Sequence, residues 1–189
     1  MTTKDKILFS TTQLFASSGY DAFSIRLLAN QIPLAPSVIY HYFIDKDALL
    51  EAMFHDLNTS LGKKRAVLPT MNSAAAMLKQ RIIFQLDNAE AIVAVLKYFI
   101  AYRKKFPKNN GGFVPDKSSL HIEEVLSFGV KTGEFTSVNI EQDAKVITHA
   151  INGFLLEYYP DTPHGKAKDE LVGNIYQFII RALVKGGEK

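Results

Sequence analysis

Cysteine is absent from this chain of 189 residues. Its absence excludes disulfide cross-links, thiolate metal sites and a cysteine nucleophile, and it is compatible with a reducing cytosol. Long apolar runs are absent too, because no stretch approaches the ~20 consecutive apolar residues of a transmembrane helix. The first residues, MTTKDKILFSTTQLF, carry charge early and do not resemble a signal peptide. We therefore expect a cytoplasmic protein with no membrane partner.

The signatures of several common enzyme classes are also missing. The sequence contains no His-Glu-x-x-His, no Gly-x-Ser-x-Gly, no phosphate-binding loop and no Gly-x-Gly-x-x-Gly. His121 and Glu124 form an i,i+3 pair, which supplies at most half of a metal site. We expect no catalytic residues, no metal and no cofactor. An all-α enzyme remains a rival interpretation, and an activity dependent on His121 or His149 would favour it.

Charge does not point to a partner. The net charge is only +3, and the first 47 residues are formally neutral. The opposing charges in that segment are Lys4, Lys6, Arg26 and Lys46 against Asp5, Asp21, Asp45 and Asp47. A nucleic-acid function must therefore be argued from the positions of particular residues.

Apolar residues recur at helical spacing along nearly the whole chain. This periodicity predicts an all-α fold of nine helices with no strand. The predicted helices span about residues 7–18, 25–31, 36–42, 46–64, 73–86, 89–106, 116–131, 140–159 and 166–185. Gly19 is expected to end the first helix, and the clearest loop is residues 107–115.

The most informative segment is residues 24–47, SIRLLANQIPLAPSVIYHYFIDKD. Ser24 is a good N-cap for one short helix, and Pro36 suits the first turn of the next. The positions expected to face inward are Leu27, Leu28, Ile32, Leu34, Ile39 and Phe43; those expected to face outward on the second helix are Ser37, Val38, Tyr40 and His41. The pattern suits a helix-turn-helix whose second helix enters a major groove. It also suits two short helices packed in an ordinary helical core.

Several motifs in the first 60 residues follow one family pattern. They are Ile7-Leu8, Leu14-Phe15, Gly19, Leu28-Ala29, Tyr40-His41-Tyr42-Phe43, Lys46 and Leu49-Leu50. Together they resemble the tetracycline-repressor (TetR) family of bacterial transcriptional regulators. The resemblance implies a nine-helix TetR-like fold. Residues 1–47 would form a helix-turn-helix DNA-binding domain, and residues 48–189 a helical effector-binding and dimerisation domain.

The resemblance also implies a function. It suggests a homodimeric repressor that binds a palindromic double-stranded DNA operator and is released by a small-molecule effector of unknown identity. The residues that would line the DNA are Ser24, Arg26, Pro36, Ser37, Val38, Tyr40, His41 and Lys46. By analogy, Ser24, Tyr40 and Lys46 would hold phosphates, and Arg26, Ser37, Val38 and His41 would approach the bases.

Two positions depart from the family pattern. Pro33 stands where glycine is usual, and proline forbids the positive φ that glycine allows. Ala35 stands at the usual cap and offers no side-chain acceptor, although Pro36 partly compensates. We predict that the turn takes another shape or that the recognition helix is tilted. Pro33 and the neutral charge of the N-terminal segment are the main support for the rival interpretation, a helical ligand-binding or protein-interaction module without DNA binding.

The rest of the chain resembles the family only loosely. Apolar seams on the last two helices predict a dimer interface, although a fully buried central helix is the alternative. The interface residues would be Ile147, Ile151, Phe154, Tyr158, Ile175, Ile179 and Leu183. A ligand pocket lined by aromatic groups and a few polar ones is expected among the fourth to eighth helices. Its candidate residues, which would equally suit an ordinary core, are Phe84, Phe99, Tyr102, Phe106, Phe113, His121, Phe128 and His149.

Overall fold

The computed structural model describes residues 1–69, 71–105, 119–136 and 139–184. Those residues form nine α-helices and no strand, which confirms the all-α fold predicted from the sequence. The helices are α1 (Thr3–Ala22), α2 (Ile25–Gln31), α3 (Pro36–Tyr42), α4 (Lys46–Ala66), α5 (Ala74–Asp87), α6 (Ala89–Lys105), α7 (Leu120–Thr132), α8 (Ile140–Tyr158) and α9 (Gly165–Leu183). Among these helices, none has the length together with the hydropathy that a bilayer crossing requires.

Most helix ends lie close to their predicted positions, because local signals set them. Ser24, Asp45 and Ser73 each accept a hydrogen bond at the start of a helix. The predicted stop at Gly19 is a kink within α1, where Gly19 has φ 71° and the helix continues to Ala22. Phe106, Asp116 and the chain beyond residue 184, where three other helix ends are predicted, lie outside the described residues.

The chain divides into two compact units. Unit 1 comprises Met1–Val67 with Glu90–Asn109, and unit 2 comprises Leu68–Ala89 with Asn110–Lys189. Unit 1 thus holds α1 to α4 and nearly all of α6, and unit 2 holds α5 and α7 to α9. The domain boundary expected between residues 47 and 48 does not coincide with this division, and the functional division that it implies stays a prediction.

The core of unit 1 supports the two short helices. α1 contacts both α2 and α4, and α2 contacts α3. Its largest fully buried side chains include Phe15, Leu28, Ile39, Leu50 and Met53. The sequence prediction was wrong for Leu27, which is 38% exposed because it lies on the solvent side of α2.

The core of unit 2 is built around α5, which contacts α7, α8 and α9. The carboxylate of Glu134 closes the N-terminus of α5, since it accepts hydrogen bonds from the backbone N–H of Ala74 at 2.9 Å and from Ser73 Oγ at 2.8 Å. Gly129 in α7 lies directly under the Phe135 ring, so that a Cβ there would be 2.2 Å from Phe135 Cδ2. These contacts hold the α7–α8 connection against the start of α5.

Candidate nucleic-acid interface

The turn between α2 and α3 is shaped by Pro33. The backbone N–H of Leu34 donates to the carbonyl oxygen of Ile32 at 2.7 Å, which encloses Pro33 in a three-residue turn. An inverse γ-turn of this kind needs φ near −75°, and proline holds φ near −65°. The turn therefore needs no glycine.

The start of α3 has the features that the sequence predicts. Ala35 makes no side-chain capping bond, and Pro36 occupies the first turn. Because proline has no N–H, one of the unpaired donors of the helix start is removed rather than satisfied. The backbone N–H of Val38 then donates to the carbonyl oxygen of Ala35 at 2.9 Å.

The two sides of α3 differ in burial. Ile39 is fully buried, and Phe43, the residue that follows the helix, is buried as well. Ser37, Tyr40 and His41 lie on the opposite side and are exposed, and we call these three residues the α3 outer face. Tyr40 is 54% exposed although it is a large aromatic residue. Val38 is half-buried and lies at the edge of this face.

The start of α2 adds two predicted DNA contacts. Ser24 Oγ accepts a hydrogen bond from the backbone N–H of Leu27 at 3.1 Å, and this bond does not use the hydroxyl hydrogen. Arg26 is exposed in the first turn of α2. Ser24, Arg26 and the α3 outer face belong to the same unit, and their contacts with DNA stay predictions.

Lys46, predicted to hold a phosphate, binds the backbone of its own chain in this structure. Its Nζ donates to the carbonyl oxygens of Tyr20 at 2.5 Å and Phe23 at 2.7 Å, and it lies 4.1 Å from the centre of the Tyr20 ring. The ammonium thus binds the backbone at the end of α1, and its contact with a phosphate stays a prediction. Tyr20 adds a second link, since its hydroxyl donates to Asp47 Oδ1 at 2.7 Å.

Comparison with known proteins identifies this N-terminal segment. The family model for bacterial regulatory proteins of the tetR family matches residues 7–53, which run from α1 into α4. This segment is similar to the N-terminal segment of TetR-family regulators. The HTH-type transcriptional regulator UidR of Escherichia coli (strain K12) is 29% identical over 51 residues, which are 27% of this chain. That match spans about a quarter, 26%, of the length of UidR.

Solved structures share the fold over nearly the whole chain. The ketosteroid transcriptional regulator KstR2 of Mycobacterium tuberculosis superposes with a TM-score of 0.75 at 13% identity, covering 98% of this chain and 96% of that one. A structure described as a gamma-butyrolactone receptor (ArpA like protein) has a TM-score of 0.72 at 14% identity, covering 96% of this chain and 87% of that one. At such identities these structures establish the TetR fold.

A second lysine supports the TetR-like N-terminal helices, and the sequence pattern does not reveal it. Lys97 in α6 donates from Nζ to the carbonyl oxygens of Ala16 at 2.5 Å and Ser17 at 3.1 Å. Burial lowers the pKa of Lys97. No local signal could have revealed this bond, because its partners lie about 80 residues earlier in the chain.

The predicted pocket residues do not form one described group. Phe99 and Tyr102 lie in unit 1, in an aromatic cluster where Phe54 meets Phe99 at 5.1 Å and Tyr98 at 4.6 Å between ring centres. In unit 2, Phe84 is buried and His121 and Phe128 are half-buried, whereas Phe106 and Phe113 lie outside the described residues. Among the residues described, no group of three or more His, Asp or Glu side chains is arranged to hold a metal ion.

His149 lies away from the interior in which the pocket is predicted. It is exposed on α8, with Nδ1 2.6 Å from the carbonyl oxygen of Lys145 in its own helix. It therefore does not line the interior of unit 2.

The residues predicted for the dimer interface differ in burial, and their contact with a second copy stays a prediction. Five of its residues are buried within their own chain, namely Ile147, Ile151, Ile175, Ile179 and Leu183. Their side chains fill the core of unit 2 and leave almost no surface for a second copy. Phe154 is half-buried and Tyr158 exposed, so these two keep accessible surface.

Proposed function

We propose that this chain is a DNA-binding transcriptional regulator that places α3 in a major groove. The observation that carries this proposal is the α3 outer face. Three side chains able to hydrogen-bond are exposed there, on a helix whose other side is anchored by Ile39 and Phe43. Such side chains can contact phosphates and base edges without disturbing the core.

Each predicted contact then has a role. Tyr40 and the hydroxyl of Ser24 donate to phosphates, which sets the register of the protein on the duplex. Arg26 and His41 face the bases, where an arginine can donate two hydrogen bonds to guanine. Lys46 contributes indirectly, because it aligns α4 with the end of α1.

The operator is palindromic because the regulator binds as a homodimer. We place the dimer contact on the exposed apolar side of α8, and we call Val146, Gly153 and Leu156 the α8 outer face. Val146 is 62% exposed, and a Cβ built on Gly153 would meet nothing within 4 Å. A glycine at that position allows another backbone to approach closely, and a two-fold contact would pair the same face of both copies.

The regulator is proposed to act as a repressor that a small molecule releases. Release requires only that the effector binds more tightly to a state in which the two α3 helices no longer match the operator. The likeness to a structure described as a gamma-butyrolactone receptor supports an effector of small-molecule size.

The first experiment is a titration of the full chain against labelled DNA from upstream of its own gene, with unrelated DNA as competitor and over a series of salt concentrations. We expect binding that survives the competitor and weakens linearly in the logarithm of salt concentration. Arg26→Ala should reduce the affinity and the specificity together, by about 1–3 kcal/mol. Lys131→Ala, which removes an exposed cation from α7, is the control with the same change of charge.

Two outcomes count against the proposal. Equal affinity for upstream and unrelated DNA would contradict sequence-specific binding to the upstream DNA. Normal folding with no DNA affinity at low salt would instead favour the rival function, a helical ligand-binding module without DNA binding.

A further inference from the structure

The composition of α3 restricts how this helix can read a base. All seven residues of α3 are described, and none of them is an arginine, lysine, asparagine or glutamine. Those four side chains select guanine or adenine through two hydrogen bonds to one base. The hydrogen-bonding side chains of α3 are instead one serine, one histidine and two tyrosines. The bases that α3 reads must therefore be selected in another way.

The start of α3 is apolar at the end where a recognition helix reads bases. In a helix-turn-helix, the residues at the N-terminal end of the second helix contact the base edges. Here that end is residues 35–38, in which Ala35, Pro36 and Val38 are apolar. Ala35 and Pro36 are exposed and Val38 is half-buried, so each keeps apolar surface in contact with solvent.

The backbone at this end of α3 has fewer donors than a helix start usually offers. Pro36 has no N–H, and the N–H of Val38 already donates to the carbonyl oxygen of Ala35 at 2.9 Å. Within residues 35–38 the side chain able to hydrogen-bond is that of Ser37. The first turn of α3 is consequently better suited to apolar contacts than to hydrogen bonds.

We propose that α3 selects thymine through its C5-methyl group, which Pro36 and Val38 contact. The methyl group is the apolar feature that thymine presents in the major groove. Covering it with apolar side chains removes both surfaces from water, which favours binding. The guanine contact comes from Arg26, which is exposed in the first turn of α2 and lies outside α3. The operator therefore has thymine under the first turn of α3 and guanine opposite the start of α2.

This inference rests on the proposed function, because it requires α3 to lie in a major groove. Burying one group of methyl size changes an affinity about fourfold. A homodimer on a palindromic operator makes the contact twice, so the effect on the whole operator is at least of this size. The experiments below compare DNAs that differ in single chemical groups of the bases, after specific binding has been measured on ordinary DNA.

The first test removes the methyl group from the DNA and leaves every hydrogen-bonding group of the bases in place. The upstream fragment is prepared with deoxyuridine instead of thymidine, and the unrelated competitor is prepared in the same way. We expect the full chain to bind the uracil fragment at least about fourfold more weakly than the thymine fragment. Equal specific affinity for the two fragments would overturn the inference and leave the proposed function standing. Specific binding to neither fragment would overturn both.

The second test determines whether α3 itself contacts the methyl group. Val38→Ala and Pro36→Ala should each bring the ratio of the two affinities closer to one, because they remove the carbon atoms that touch the methyl group. Pro36 is exposed, so its variant keeps the test decisive if Val38→Ala destabilises the fold. Val130→Ala, at a position of α7 that is 37% exposed, is the control and should keep the wild-type ratio. A wild-type ratio in both α3 variants would show that the methyl groups act through DNA shape, and it would overturn the inference.

The third test separates the contacts of α3 from those of α2. The upstream fragment is prepared with 7-deazaguanine, which lacks the N7 acceptor of guanine. Arg26→Ala should lose most of the wild-type sensitivity to this replacement and keep the sensitivity to uracil, and Val38→Ala should show the opposite pattern. Loss of the sensitivity to uracil in Arg26→Ala alone would place the methyl contact on α2 and would overturn its assignment to α3.

Discussion

The Nζ of Lys46, in the first residue of α4, lies 2.5 Å from the carbonyl oxygen of Tyr20 near the end of α1. Carbonyl groups at a helix C-terminus have no partner within the helix and carry partial negative charge. Lys46 therefore satisfies a carbonyl group in the last turn of α1, and Lys97 binds the carbonyl group of Ala16 just before the kink at Gly19. Two lysines from distant segments thus stabilise the end of the helix on which α2 and α3 rest.

Replacing Lys46 by methionine should destabilise the protein rather than change its charge contacts with DNA. The loss of two hydrogen bonds to partly buried carbonyl oxygens should lower the free energy of unfolding by about 1–3 kcal/mol. DNA affinity should fall with an unchanged slope against log salt. Denaturation and the salt titration check this, with Lys63→Met at an exposed position of α4 as the control. A normal Tm with a slope smaller by about one would return Lys46 to the phosphate contacts.

Replacing Pro33 by glycine should weaken the fold without improving DNA binding. The turn already has the φ that proline prefers, so glycine adds only freedom to the unfolded chain, worth about 0.4–1 kcal/mol. Urea denaturation measures the change, and Pro69→Gly in the connection after α4 serves as a comparison for the same change of residue. Tighter DNA binding by Pro33→Gly than by the wild type would contradict the turn described around Pro33.

Glu134 should make stability depend on pH in the acid range. The backbone N–H of Ala74 and the hydroxyl of Ser73 lower the pKa of Glu134 below its ordinary value. Because the folded pKa is the lower one, the stabilisation is complete above the ordinary glutamate pKa and is lost as pH falls through the folded pKa. Glu134→Gln should therefore have a lower Tm at neutral pH, and the gap from the wild type should close on acidification.

The control for this prediction is Glu170→Gln, which makes the same substitution at an exposed position. Its Tm should follow the wild type across the whole pH series. A constant gap for Glu134→Gln at all pH values would show that the carboxylate charge does not stabilise the start of α5.

Gly129→Ala should destabilise unit 2, because its Cβ would overlap the buried Phe135 ring at 2.2 Å. We expect a loss of about 1–3 kcal/mol, the usual cost of overpacking a core. Gly173→Ala in α9 is the matched control, since nothing lies within 4 Å of a Cβ there, and alanine should stabilise the helix by roughly 1 kcal/mol. Thermal denaturation at low protein concentration compares the two. Equal Tm values for both variants would contradict the packing of Phe135 on α7.

The sequence by itself determined the local structure of this protein. Helical periodicity, the caps Ser24 and Ser73, and the restriction at Pro33 act over a few residues, so the helices and the unusual turn were predictable. The family motif likewise lies in one continuous segment, residues 7–53. For the same reason the residues of the α3 outer face follow from the spacing of polar and apolar side chains along one short helix.

Only the tertiary structure decided which groups meet. Lys46 and Tyr20 are 26 residues apart and Lys97 and Ala16 are 81 apart, and no pattern within one helix encodes such pairs. The spacing of apolar residues along a helix also does not reveal whether they face the core of their own chain or a second copy. For this reason the pattern alone assigns Ile151 to a dimer interface, although Ile151 is buried within the chain. In the sequence Arg81 is one more charge on a helix. Only the packing around α5 buries its Nη1 atom without a hydrogen-bond partner, because burial is a property of the assembled helices and not of any one of them.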